Sequence, residues 1–161
     1  MKGIYVLVIR IRRNTRITVG ALGEFAFPAG LYAYVGSAQN NLDLRVKRHI
    51  GKEKRLFWHI DYLLSNEAAK VINAYYVYGD KEEECRIAHL MEKNAEPFTG
   101  FGCSDCNCTS HLFHAVDFSF LGKFMQPLTM QNLSAELSQT LIEMKTTLKA
   151  SKIRRDAQFI E

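Results

Sequence analysis

The sequence predicts a small α/β protein of the α+β type: a mainly antiparallel three-stranded central sheet flanked by helices, with an added C-terminal strand and amphipathic helix. Three observations predict it. From Gly3 to Arg13, Tyr5, Leu7, Ile9 and Ile11 alternate with Ile4, Val6, Val8, Arg10 and Arg12, the two-residue period of a strand. Leu42, Val46 and Ile50 recur every four residues, which is helical spacing. The segments so marked follow in the order strand, strand, helix, helix, strand, helix, which suits an antiparallel sheet flanked by helices.

The first strand ends at the polar break Asn14-Thr15, and Ile17-Thr18-Val19 offers a short extension. Gly20, Gly23, Pro28 and Gly30 punctuate the approach to a second strand at Leu31–Val35, so the two should pair as an antiparallel ribbon. Asn40 or Asn41 can cap the helix that begins at Leu42, and Gly51 is placed to end it. Phe57–Leu64 reads as a short aromatic-rich helix, Val71–Tyr78 as a strand, Gly79 as a turn, and Lys81–Lys93 as an acidic helix. A cysteine-rich loop, Phe101–His111, precedes a final strand at Leu112–Phe120. Beyond Pro127, Leu133, Leu137, Leu141, Met144 and Leu148 form one apolar stripe on a helix. These boundaries give one domain over residues 1–125, with residues 126–161 as a helical extension packed on it, or with its stripe used as a dimer seam.

A chain of 161 residues with 47% hydrophobic and 24% charged residues is long enough to bury its own core. Its charged N-terminus lacks the shape of an export signal, and no run reaches the roughly 20 apolar residues of a membrane span. The expectation is therefore a soluble, cytoplasmic protein with no membrane partner. The net charge of +4 is too mild to argue for a polyanion by itself. Its distribution argues more: Arg45, Lys47, Arg48, Lys52, Lys54 and Arg55 are opposed locally only by Asp43 and Glu53. Such a basic helix and its exit loop either form a solvated face or neutralise several phosphates of nucleic acid.

Further residues bear on that choice. Gly3-Ile4-Tyr5 opens the first strand, Tyr34-Val35-Gly36 closes the second, and Arg45 and His49 lie one turn apart on the following helix. In these positions the sequence resembles the GIY-YIG nuclease superfamily, over a stretch reaching to about residue 95. The resemblance implies that Tyr5 and Tyr34 are the two motif tyrosines, that Arg45 is the helix arginine, and that His49 takes a position often filled by Tyr or His. It also implies a glutamate that holds Mg²⁺ or Mn²⁺ on the helix after the third strand, where Glu82, Glu83 and Glu84 stand; Glu84 suits the place best, and Asp61 is a rival. The implied activity is metal-dependent endonuclease cleavage of DNA, with Arg45 stabilising phosphate charge, Tyr5 taking or relaying the water proton, and Tyr34 and His49 orienting the scissile group. A branch of the superfamily that is similar in its Trp-His-Ile-Asp and Ser-Asp-Cys segments is sometimes joined to DNA glycosylase-like domains, which implies a DNA repair partner. Two other readings remain: a non-catalytic nucleic-acid-binding module, and a zinc or interaction domain.

The physics is independent of the resemblance. Attack on a phosphodiester develops negative charge on phosphoryl oxygens, which a guanidinium and a divalent cation stabilise. A phenol with a pKa near 10 is a poor base at neutral pH without positive neighbours. Each tyrosine taken singly reads first as a packed strand residue whose hydroxyl finds a partner. Cys103, Cys106, Cys108, His111 and His114 supply enough donors for tetrahedral zinc. Their crowding into one short loop argues against it, and small buried thiols are the other reading.

Overall fold

Strand β1 (Gly3–Ile11) lies between β4 (Gly30–Ala38) and β5 (Ala69–Tyr78), antiparallel to both. These long strands form the centre of a computed structural model that describes residues 2–51, 55–103 and 106–128. The expected three-stranded sheet is wider than its sequence suggests. Three short strands extend it, β6 (Glu96–Pro97), β7 (Leu112–Ala115) and β8 (Gln126–Pro127), to give six strands in the order β6-β7-β4-β1-β5-β8. Every neighbouring pair is antiparallel. At two to four residues each, the added strands are too short to show alternation. The final strand expected to reach Phe120 stops at Ala115, and a 3₁₀ turn, Ser119–Lys123, follows. Ile17 belongs to a separate two-stranded sheet of β2 (Thr15–Thr18) and β3 (Glu24–Phe27).

Helix α1 (Leu42–Ile50) starts where expected, with the Asn41 side chain accepting from the Leu44 amide at 3.0 Å. Gly51 ends it by turning the chain to an extended conformation. Helix α2 (His59–Leu64) begins two residues later than its aromatic run, and α3 (Glu82–Glu92) carries all three glutamates in its first turn, complementing the positive end of the helix dipole.

The alternation in β1 separates two buried faces. Ile4, Val6 and Val8 pack with Ile87, Ala88 and Met91 of α3, together with Phe113, Phe118 and Leu121. Tyr5, Leu7, Ile9 and Ile11 are buried on the opposite face, where His49 of α1 reaches Tyr5. Each large apolar side chain so enclosed contributes about 1.5–3 kcal/mol relative to exposure. A strand covered on both sides reads as a nearly continuous apolar run, and the charges of Arg10 and Arg12 stand only at its far end. No helix among the described residues is long and apolar enough to cross a membrane. The stripe from Leu133 to Leu148, with the rest of 129–161, lies outside the described residues, as do Lys52, Lys54, Ser104 and Asp105.

Candidate functional site

The register of the central strands puts the two tyrosines on one face. Leu7 stands opposite Tyr34 and Tyr5 opposite Gly36; residues directly opposed in an antiparallel pair project to the same side, and Tyr5 and Leu7 share a side of β1. The two rings are 6.4 Å apart between centroids. They meet Arg45 of α1 and Glu84 of α3 at a cleft of about 470 Å³, whose wall also includes Ser37, Trp58, His59, Lys81 and Gly102. Thus Tyr5, Tyr34, Arg45 and Glu84 converge, though they come from four elements.

Arg45 is held in place on two sides. Its guanidinium donates to the Ser37 carbonyl at 3.2 Å and lies 4.4 Å from the Trp58 ring centroid. Arg48 lies 4.5 Å from the same centroid, so the indole is shared by two cations, a contact of roughly 0.5–2 kcal/mol each depending on hydration. Neither Trp58 nor His59 was marked as a site residue by the sequence alone. The only signal for them was their place in the Trp-His-Ile-Asp segment. His59 Nδ1 accepts from the Gly102 amide at 3.0 Å, and partial burial moves the ring's pKa below the ordinary histidine value. The ring is therefore neutral near pH 7, with its proton on Nε2.

Behind the cleft wall runs a buried polar line. Tyr5 Oη is 2.7 Å from His49 Nε2, and His49 Nδ1 is 3.9 Å from Asp61 Oδ1. His49 is almost fully enclosed and is not among the residues lining the cleft, so it stands behind Tyr5 and not at the cleft surface. Burial drives the Tyr5 phenol well above its usual pKa, against the pull of the nearby Arg45 charge. Tyr34 is shifted in the same direction, again by burial first, with Tyr5 and Glu84 adding to it. Both phenols therefore remain protonated at neutral pH.

Asp61 is not an open metal ligand. Arg48 forks onto its two oxygens at 2.8 and 2.9 Å, and the Phe57 and Trp58 amides donate to Oδ2 at 2.9 and 2.8 Å. Burial of the carboxyl opposes its ionisation, but the Arg48 fork and the two amides outweigh that and hold its pKa below the ordinary value. Arg48 is correspondingly drawn inward, and it also donates to the Arg55 carbonyl at 2.9 Å. Of the expected nucleic-acid contacts, Arg48 thus has a structural partner, while Lys47 is partly exposed and Arg55 exposed.

Glu84 Oε1 approaches His111 Nδ1 at 3.0 Å, with the carboxylate 14% exposed. The approach is close without being aligned as a hydrogen bond. On its other side His111 Nε2 is 3.5 Å from Cys106 Sγ. The ligand atoms of Cys85, Cys106, Cys108 and His111 all lie within 4.8 Å of one another, a Cys₃His group able to hold a metal ion. This changes the expected donor set. Cys103 turns toward the Thr109 carbonyl instead, and Cys85 arrives from α3. The sequence hid that contribution because Cys85 is remote from the loop along the chain. His114, the other donor considered, stacks on Tyr32 with centroids 4.8 Å apart.

These features define an α+β domain whose antiparallel sheet carries a polar, cation-lined cleft with a thiol-rich group beside it. The chain belongs to the family described as Domain of unknown function DUF123, whose model matches residues 4–133. No curated protein and no solved structure matches the chain.

Proposed function

We propose that this protein is a GIY-YIG-type nuclease that hydrolyses phosphodiester bonds of DNA, with Mg²⁺ or Mn²⁺ at Glu84. The observation that carries the reading is the convergence of Tyr5, Tyr34, Arg45 and Glu84 on one cleft. A single carboxylate, completed by water and substrate phosphate, is an ordinary site for Mg²⁺, and Glu84 offers one at the cleft wall. The thiols of Cys85, Cys106 and Cys108 are too soft for that ion. When bound, the divalent ion supplies positive charge to the phosphoryl and leaving oxygens.

The chain's own residues do the rest. Arg45, fixed by Trp58 and the Ser37 carbonyl, needs no reorganisation to meet a phosphoryl oxygen as its charge grows. Tyr5 remains protonated and so cannot remove a proton unaided. It works as a relay: its oxygen receives the proton of the attacking water as its own proton passes to His49 Nε2 at 2.7 Å. The resulting imidazolium faces Asp61. The water oxygen bonds to phosphorus, the bond to the leaving oxygen breaks, that oxygen takes a proton from solvent, and the imidazolium returns its proton through Tyr5 to solvent, restoring the neutral pair. Tyr34 borders the phosphate and limits its approach.

Phe57 is 74% exposed at the cleft edge and edge-on to Trp58. An exposed ring beside guanidinium groups suits stacking on an unpaired base, which favours DNA with single-stranded or distorted character, as met in repair. The second reading, a binding module without catalysis, is favoured by the approach of Glu84 to His111. Incubation of the purified chain with branched, nicked and single-stranded DNA, with and without Mg²⁺ or Mn²⁺, separates the two. Metal-dependent cuts that disappear in Arg45→Ala and Glu84→Gln are expected. DNA binding without cleavage under either ion would leave only the binding module.

A further inference from the structure

We infer that Cys85, Cys106, Cys108 and His111 bind one structural Zn²⁺, with Glu84 orienting His111 from behind. The inference stands whether or not the cleft cuts DNA. Zinc–sulfur bonds of about 2.3 Å and zinc–nitrogen bonds of about 2.0–2.1 Å put tetrahedral ligand atoms about 3.6 Å apart for an S/N pair and about 3.8 Å for two sulfurs. The one S/N separation resolved here, Cys106 Sγ to His111 Nε2, is 3.5 Å. The widest spread in the group is 4.8 Å, so closing on an ion asks for an inward shift of about 1 Å, within the reach of side-chain rotation. All four cysteines of the chain carry free thiols.

His111 is oriented for the role. A carboxylate on one ring nitrogen and a metal on the other is the usual arrangement of a ligating histidine. Here Glu84 Oε1 stands 3.0 Å from Nδ1, near enough to hydrogen-bond after a small turn of either side chain, and Nε2 lies 3.5 Å from the Cys106 thiol. Glu84 and Cys85 are consecutive on α3, so one turn of helix supplies both a ligand and the group that fixes another. The site also joins distant parts of the chain, α3 to the loop before β7, which answers the objection that a cluster confined to one loop stabilises little. Four protein ligands fill a tetrahedron, so the ion is structural and not reactive. Binding releases three thiol protons to solvent and leaves the imidazole neutral, with its remaining proton facing Glu84.

The cleft depends on this loop. Gly102, at φ +74°, packs where a side chain would meet the Tyr34 ring at 3.3 Å and the His111 Cβ at 3.2 Å, and its amide fixes His59. Zinc would hold that wall in place.

The test is elemental analysis and native mass spectrometry of the purified full chain, with Cys85→Ser, Cys106→Ser and Cys103→Ser beside wild type. One zinc per chain is expected in wild type and in Cys103→Ser, with at least a tenfold loss of affinity in the other two. Cobalt titration of the metal-stripped wild type gives a readout that needs no variant: thiolate charge-transfer bands and strong tetrahedral d–d bands are expected. Folded wild type that takes up neither ion, a cobalt spectrum of octahedral weakness, or loss of zinc from Cys103→Ser with retention in Cys85→Ser would each overturn the assignment.

Discussion

The ring of Tyr5 fills the space directly over Gly36, its cross-strand neighbour, so that any side chain at Gly36 would overlap it. The glycine that closes the second tripeptide is thus needed by the tyrosine of the first. A backbone position kept bare lets the phenol lie over β4 and reach His49 at 2.7 Å.

Gly36→Ala should therefore displace Tyr5 from His49. Overpacking of this kind costs about 1–3 kcal/mol, to be read by urea unfolding. Cleavage should fall with it. Unchanged stability would mean that the ring moves aside freely, and unchanged cleavage that its present position carries no function.

The Arg48–Asp61 pair predicts an acid limb in stability. Asp61 has a lower pKa folded than unfolded, so its stabilisation is complete above about pH 4, the unfolded value, and disappears as pH falls through the folded value. Asp61→Asn should flatten that limb. It should also cost about 3 kcal/mol at pH 7, the low end for a broken buried pair, because Arg48 is 30% exposed and can recover some hydration. Denaturant unfolding from pH 2 to 7 checks both. A limb of equal slope in the variant would place the pH dependence elsewhere.

Phe57→Ala should weaken binding of single-stranded DNA by about 1–3 kcal/mol, the range for loss of one stacked base, and leave duplex binding nearly unchanged. Arg45→Ala should weaken both and lower the slope of log affinity against log salt by about one phosphate contact. Fluorescence anisotropy across salt concentrations measures the two together. Equal losses on both substrates for Phe57→Ala would remove its stacking role.

The parts of this molecule legible in its sequence are those where local chemistry and tertiary role agree. The long strands β1, β4 and β5 announce themselves by composition and length, and α1 by its Asn41 cap and four-residue apolar step. The shared side of Tyr5 and Tyr34 follows from strand register, which only the paired structure fixes. Strands β6 and β8 have two residues each and no readable pattern. The sequence offered Asp61 as a rival metal ligand; the fork from Arg48 makes it the anchor of a basic side chain instead. Cys85 looked isolated because its partners come together with it only when α3 packs against the loop.

Glu84→Gln separates the two metal roles. It should abolish Mg²⁺- or Mn²⁺-dependent cleavage while retaining zinc, since the neutral amide can still meet the His111 ring and Nε2 remains free to ligate. Loss of zinc together with cleavage would show that Glu84 serves the Cys₃His group alone.

Single-turnover cleavage of an end-labelled nicked or branched DNA by wild type and Tyr5→Phe, in Mg²⁺ or Mn²⁺ and after chelation, addresses the relay itself. Wild type should cut only with the metal, and Tyr5→Phe should slow the cut by about 10²–10⁴-fold, the usual worth of a positioned proton-transfer group, with DNA affinity unchanged. Cutting by Tyr5→Phe at the wild-type rate, or no cutting by wild type with either ion, would contradict a hydrolytic role for this cleft.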